Sequence, residues 1–161
     1  MLRVLAATDF SDDGRVVVDF AANLVRQCGG KMYLLHAVEP CMADAAGCLS
    51  SDMVQPADDA DKADAPQSCT LLELTNRRAQ RVAEKISQKW DIPIYGKAEE
   101  ADDVVDCIHR FCERHSIDLL VIGNRHHSLL SSILLGNTAE TLMRTAKIPV
   151  TVVPCTPGIS A

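Results

Sequence analysis

The chain has 161 residues, a length that suits one domain, and 47% of them are hydrophobic, which supplies a core and excludes wholesale disorder. Aromatic residues make up only 4%, so the core must come from Val, Leu, Ile and Ala, the palette of parallel strands covered by helices on both faces. The formal net charge of −6 argues against DNA or RNA as a partner, because displacing phosphate counterions needs a surplus of Lys and Arg.

No apolar run approaches the ~20 residues that a bilayer span requires. The first residues lack a basic region followed by a long apolar stretch, so no signal peptide is expected. Seven cysteines without a CxxC pair fit neither a disulfide framework nor a ribbon-type zinc site. They read as reduced thiols in a cytoplasmic protein.

Leu2 to Thr8 is a short apolar run that predicts a buried strand. Asp9-Phe10-Ser11 breaks it, and Ser11 is a good N-cap with Asp12 and Asp13 in the first helical turn. Val17, Phe20, Ala21, Leu24 and Cys28 follow helical spacing, and Gly29-Gly30 closes the helix as a left-handed cap. Met32 to Val38 predicts the second strand, which Pro40 stops.

Residues 41–69 are rich in Ala, Asp, Ser and Pro and show no sustained period, so they read as a long mobile loop. Between Glu39 and Thr70, Glu39, Asp44, Asp52, Asp58, Asp59, Asp61 and Asp64 stand against Lys62 alone, so this acidic stretch accounts for the net charge.

Thr70 with Glu73 forms a capping-box pattern, after which Leu71, Leu74, Arg78, Val82 and Ile86 predict a helix to about Trp90. Ile92 to Tyr95 predicts a third strand, with Gly96 after it. Ala101 to His115 reads as a helix with Val104, Val105, Ile108, Phe111 and Cys112 inward. Asp118 to Ile122 predicts a fourth strand. Asn137 and Glu140 form a cap pair for a helix to about Ala146, and Val150 to Val153 predicts a fifth strand. This alternation implies an α/β three-layer sandwich, a parallel sheet with helices on both faces. Ligands of such folds sit beyond the carboxyl ends of the strands, where strand order reverses.

The loop after the first strand carries Asp9 and no glycine fingerprint, and neither G-x-G-x-x-G nor a P-loop occurs in the chain. A carboxylate there repels phosphates but accepts hydrogen bonds from sugar hydroxyls. Asp9 therefore fits either a ribose or a simple helix-start acid. After the fourth strand, Gly123 permits close backbone approach, and Arg125 and Ser128 add a cation and a hydroxyl. Gly136-Asn137-Thr138 opens a helix whose amides can hold an anion. The plainer alternative is a Gly-terminated strand and a capped helix. His36, at the end of a buried strand, reads as a satisfied core histidine.

These residues resemble the universal stress protein family. Thr8-Asp9-Phe10-Ser11 matches its T-D-x-S, Leu34-Leu35-His36-Ala37 stands in place of its L-L-H-V, and Ile148 to Val153 matches its closing I-P-V-x-V-V. Its nucleotide motif, G-x-x-G then nine residues then G-[ST], appears as Gly123-x-x-His126, nine residues, Gly136-Asn137. His126 replaces the second glycine, and Asn137 replaces a Ser or Thr.

The resemblance implies one domain over residues 1–161, of the adenine nucleotide alpha-hydrolase-like fold, with a five-stranded sheet in the order 3-2-1-4-5. It implies a stress-response regulator that binds ATP, ADP or AMP, with at most slow hydrolysis. Asp9 would hold the ribose and the Ala37 backbone the adenine. Gly123 would lie against the ribose and first phosphate. Ser128, Gly136, Asn137 and Thr138 would hold phosphates, with Arg125 and His126 beside them and a Mg or Mn ion bridging a triphosphate. A homodimer would form through Val150–Val153. Two other readings stand beside this one: an interaction module of the same family whose pocket His126 closes, and a true hydrolase, for which no residue near the phosphates has an evident orienting partner.

Overall fold

The computed structural model describes residues 1–40, 70–124 and 137–155. The expected acidic loop over residues 41–69 lies outside the described residues, as do Arg125, His126, Ser128 and Gly136.

The elements alternate throughout: β1 (Leu2–Ala7), α1 (Asp12–Cys28), β2 (Gly30–Val38), α2 (Leu71–Trp90), β3 (Ile94–Glu100), α3 (Val104–His115), β4 (Leu119–Asn124), α4 (Asn137–Thr145) and β5 (Val150–Pro154). The five strands form one parallel sheet in the order β3-β2-β1-β4-β5. This is the expected three-layer arrangement. Strand order reverses beside β1, since β2 lies on one side of it and β4 on the other.

Side-chain alternation along the strands sorts the core into two layers. Val4, Ala6, Met32 and Leu34 point to the face covered by α1 and α2, where Val17, Val18, Ala21, Ala22, Val25, Val82 and Ile86 meet them. Leu5, Leu35, Leu120 and Ile122 point to the face covered by α3 and α4, against Cys107, Ile108, Phe111 and Leu142. Small and β-branched residues dominate both layers, as the low aromatic content requires.

Several local expectations hold. Ser11 caps α1 by accepting from the Gly14 amide, and Gly29 ends that helix with φ 71° and an N–H donated to the Val25 carbonyl. Thr70 and Glu73 form the reciprocal capping box of α2.

Others need correction. Phe20, placed inward by spacing, is 43% exposed, because the buried stripe of α1 runs through its small and valine residues. Leu71 and Leu74 are likewise exposed at the start of α2. Gly30 is the first residue of β2 and not part of a cap. The third strand begins at Ile94 and continues to Glu100, so Gly96 lies inside it. The third helix starts at Val104 and not Ala101, because Ala101 still donates to the Val38 carbonyl while the Asp103 carboxylate accepts from the Val105 and Asp106 amides as N-cap. Asn137 is the first residue of α4 and not its cap, and Glu140 lies 3.6 Å from Arg144.

Gly96 explains why a residue that reads as a strand terminator sits within one. A Cβ at this position would collide with the Ala79 carbonyl and lie 2.8 Å from the Gln80 nitrogen. The glycine thus lets the α2 backbone rest directly on β3. From there Asn76 reaches the outer edge of the strand and accepts a hydrogen bond from the Ala98 N–H at 3.0 Å. That N–H points away from β2, because it is Pro93 and Ala101, of the opposite parity, that bond to β2. One edge of the sheet is therefore closed by a helix.

A Gly96→Ala substitution should shift α2 and lower stability by about 1–3 kcal/mol through overpacking. That loss exceeds the ~0.4–1 kcal/mol returned by the stiffer unfolded chain. A urea midpoint measurement checks it, and an unchanged or higher midpoint would contradict the contact.

Candidate functional site

The strand ends create the site. β1 pairs with β2 only as far as Ala7 opposite Leu35, followed by one bond from the Thr8 N–H to the Leu35 carbonyl at 3.0 Å. β2 runs on through His36, Ala37 and Val38, which remain paired with β3. Backbone groups of successive strand residues point to opposite sides, so Ala37 directs its N–H and C=O the same way as Leu35. On that side β1 has already left the sheet. Ala37 thus presents a donor and an acceptor to the gap at the strand-order reversal.

Asp9 stands at the start of this gap and is exposed. Its Oδ1 accepts from the Ser11 N–H at 3.1 Å and from the Ser11 hydroxyl at 2.6 Å, and the same hydroxyl accepts from the Gly14 N–H at 3.2 Å. The carboxylate is therefore tied to the amino-terminal end of α1, where the helix dipole favours negative charge. Gly14 makes this possible, since a Cβ there would collide with the Thr8 hydroxyl and lie 3.3 Å from Asp9 Oδ1.

Between Asp9 and Ser11, Phe10 adopts φ 61°. An aromatic residue in this region carries strain of about 1–3 kcal/mol, which persists only where neighbours enforce it. The neighbours are present. Phe10 donates its N–H to the Thr8 hydroxyl at 3.2 Å. Its ring lies 5.0 Å from the His36 ring, and the Arg78 guanidinium lies 5.4 Å from its centroid.

His36 is half-buried and its Nδ1 is 2.7 Å from the Thr8 carbonyl. A carbonyl only accepts, so Nδ1 carries the hydrogen. Burial lowers the imidazole pKa, the Thr8 carbonyl works against that, and the Arg78 charge adds to it. The expectation of a satisfied histidine holds. Its partner is the carbonyl just before Asp9.

Gly123 lies in β4 opposite Val153. A Cβ there would be 2.9 Å from Val17 Cγ2 and 3.0 Å from Cys155 Sγ, so the close approach this glycine permits is that of its own core. Asn137 and Thr138 open α4 and line an open groove against α3, facing Asp102, Asp103, Asp106 and His109. The first turn of α3 is already served by its own Asp103 carboxylate.

Of the nine residues singled out from sequence, the structure places five. Asp9, Ala37 and Gly123 lie at the ends of three neighbouring strands, and Asn137 and Thr138 lie at the start of the following helix. Sequence reasoning missed the cluster of Phe10, His36 and Arg78. Phe10 read as a chain break and Arg78 as one position in a helical period, and no spacing joins residues on three separate elements.

Among the described residues, no group of three or more His, Cys, Asp or Glu side chains is close enough to hold a metal ion. Cys107 is buried along with Cys112, although only the latter was expected in the core. Burial pushes the Cys112 thiol up to about 11, so it is an inert packing residue. No helix among the described residues is long and apolar enough to cross a membrane.

A family model described as the universal stress protein family matches residues 1–154. A universal stress protein A homolog of Pasteurella multocida is 28% identical over 152 residues, covering 94% of this chain and 94% of that protein. A universal stress protein of Methanocaldococcus jannaschii is 25% identical over 154 residues, covering 94% of this chain and 81% of that protein. Among solved structures, a universal stress protein in complex with cAMP matches with a TM-score of 0.65 at 23% identity, covering 96% of this chain and 98% of that one. The universal stress protein of Archaeoglobus fulgidus in complex with dAMP matches with a TM-score of 0.56 at 20% identity, covering 94% and 97%. At these identities the structural matches speak to the fold, and the family match over almost the whole sequence carries the assignment: the chain belongs to the universal stress protein family.

Proposed function

We propose that this protein is a regulatory module that binds an adenine nucleotide at the carboxyl ends of β1, β2 and β4. The observation that carries the reading is the Ala37 backbone, whose donor and acceptor face the gap that β1 leaves, one strand from the Asp9 carboxylate. A paired donor and acceptor is what the edge of an adenine ring requires. Asp9 accepts from the ribose hydroxyls, and the sugar and first phosphate pass the end of β4 near Gly123 on the side of its backbone that Val17 and Cys155 leave open. The phosphates run toward Asn137 and Thr138, with Arg125, His126, Ser128 and Gly136 completing the set. Relatives of the same fold that were solved with cAMP and with dAMP support an adenylate as the ligand class.

ATP, ADP and AMP differ in how far they reach into the groove between α3 and α4. A triphosphate there approaches the carboxylates of Asp102, Asp103 and Asp106. Like charges at such range oppose binding. A Mg or Mn ion on the phosphates is therefore part of the proposal for ATP, and AMP needs none. Hydrolysis is at most slow in this reading, which assigns the site to binding and regulation. The protein acts as one domain over residues 1–161, in the cytoplasm.

The second part of the proposal is a homodimer through β5. The α2 helix closes the β3 edge, whereas no described element pairs with the outer edge of β5. Leu120 donates to the Pro149 carbonyl, so Pro149 and Thr151 face β4, and Val150 and Val152 direct their backbone groups outward. A second copy pairing here satisfies them.

Two measurements test these readings. A thermal shift with AMP, ADP and ATP–Mg at ~100-fold excess over the dissociation constant adds about 2.7 kcal/mol. That should raise the melting temperature by several degrees, and Asp9→Ala should weaken binding by at least about tenfold, the worth of a hydrogen bond to a charged group. No shift with any of the three refutes nucleotide binding. Sedimentation velocity should show a dimer for the native chain and a monomer for Val152→Pro, which removes an outward N–H without touching the β4 ladder. A variant that still sediments as a dimer places the interface elsewhere.

A further inference from the structure

We propose that His36 is a positioning residue for Asp9: its imidazole, together with the Arg78 guanidinium, locks the turn after β1 in the one arrangement that presents the Asp9 carboxylate to the gap beside Ala37. The inference rests on the nucleotide reading above and adds to it a residue that touches no ligand.

The geometry is specific to the turn. The His36 side chain leaves β2 on the α1–α2 face, the same face as Leu34, and does not extend the hydrophobic layer there. It reaches across to β1 and donates from Nδ1 to the Thr8 carbonyl at 2.7 Å. That carbonyl belongs to the peptide bond that enters Asp9. Three residues later the chain must begin α1 at Asp12, so the direction of this one peptide sets where the Asp9 side chain points. The next residue, Phe10, is held at φ 61° with its ring 5.0 Å from the His36 imidazole and 5.4 Å from the Arg78 guanidinium.

The clamp thus draws one group from β2 and one from α2 onto a turn that belongs to neither. A left-handed aromatic residue relaxes to another backbone region when such contacts are lost. Relaxation at Phe10 swings Asp9 away from Ser11, whose N–H and hydroxyl now hold it. Nothing in the pairing of β2 with β3 depends on the His36 side chain, since that ladder is made by backbone groups alone. The structure therefore separates what His36 does for the sheet from what it does for the turn.

The test compares His36→Leu, which removes the donor at similar volume, with His36→Asn, whose side-chain amide can donate from near the Nδ1 position. AMP affinity is measured by calorimetry at a temperature where both variants are folded, and amide exchange of Ser11 and Gly14 is followed by NMR. The expected result is AMP binding weakened about tenfold in His36→Leu and within about threefold of the native chain in His36→Asn, with faster Ser11 exchange in the leucine variant only. Equal binding by His36→Leu and the native chain, or equal loss in both variants, overturns the inference. Arg78→Met leaves the imidazole in place and frees one face of the Phe10 ring, which keeps the test standing if His36→Leu does not fold. Its expected signature is about threefold weaker AMP binding at an unchanged melting temperature, and no change overturns the role of the clamp. If the native chain binds no AMP, the nucleotide reading has failed, and the Ser11 exchange alone decides whether His36 fixes the turn.

Discussion

The gap at the carboxyl end of the sheet exists because β1 stops pairing at Ala7 while β2 continues to Val38. A parallel strand that keeps its neighbour on both sides has no backbone group to offer. One that outlives its neighbour offers a donor and an acceptor at fixed spacing, held rigid by the strand on its other side. Ala37 is in that position, and its side chain contributes little beyond packing against the α3–α4 layer. Everything proposed for this end of the molecule uses that backbone.

The early departure of β1 is itself an energetic compromise. The chain leaves the sheet through an aromatic residue with positive φ and a half-buried histidine bonded to a carbonyl. Local rules would choose otherwise, since a glycine at position 10 relieves the strain. Departures from local consistency concentrate at functional sites, where the surroundings hold a conformation that the segment alone does not prefer. The Asp9 carboxylate, tied to Ser11 over the amino-terminal end of α1, is what that conformation holds in place.

The two edges of the sheet are treated differently, and small residues make the difference. Gly96 and Ala79 let α2 settle against β3 closely enough for Asn76 to reach the strand edge. β5 has no such cover among the described residues. Among the described residues the sheet is thus covered at one edge and uncovered at the other, and it is at the uncovered edge that the proposed dimer would pair.

Alternating apolar runs and helical periods, with caps at Ser11 and Thr70, were enough to read nine elements in their order. Hydrophobic period and capping are local properties that survive any tertiary arrangement. The strand order and the family motifs around Asp9, Ala37, Gly123 and Asn137 were legible for a second reason: the resemblance spans the whole fold. What the sequence could not show is where short-range signals are overruled by close contact. Gly96 reads as a strand end because glycine usually marks one, yet it lies within β3 because a helix backbone needs the room of a missing Cβ. Gly123 reads as a place for a ligand, yet Val17 and Cys155 occupy the space over its Cα. The meeting of Phe10, His36 and Arg78 joins residues 26 to 68 positions apart on three elements, and only packing decides such a contact. Local pattern fixed the pieces and their order; the distances between side chains from different pieces depend on how the layers close, which no single window of sequence encodes.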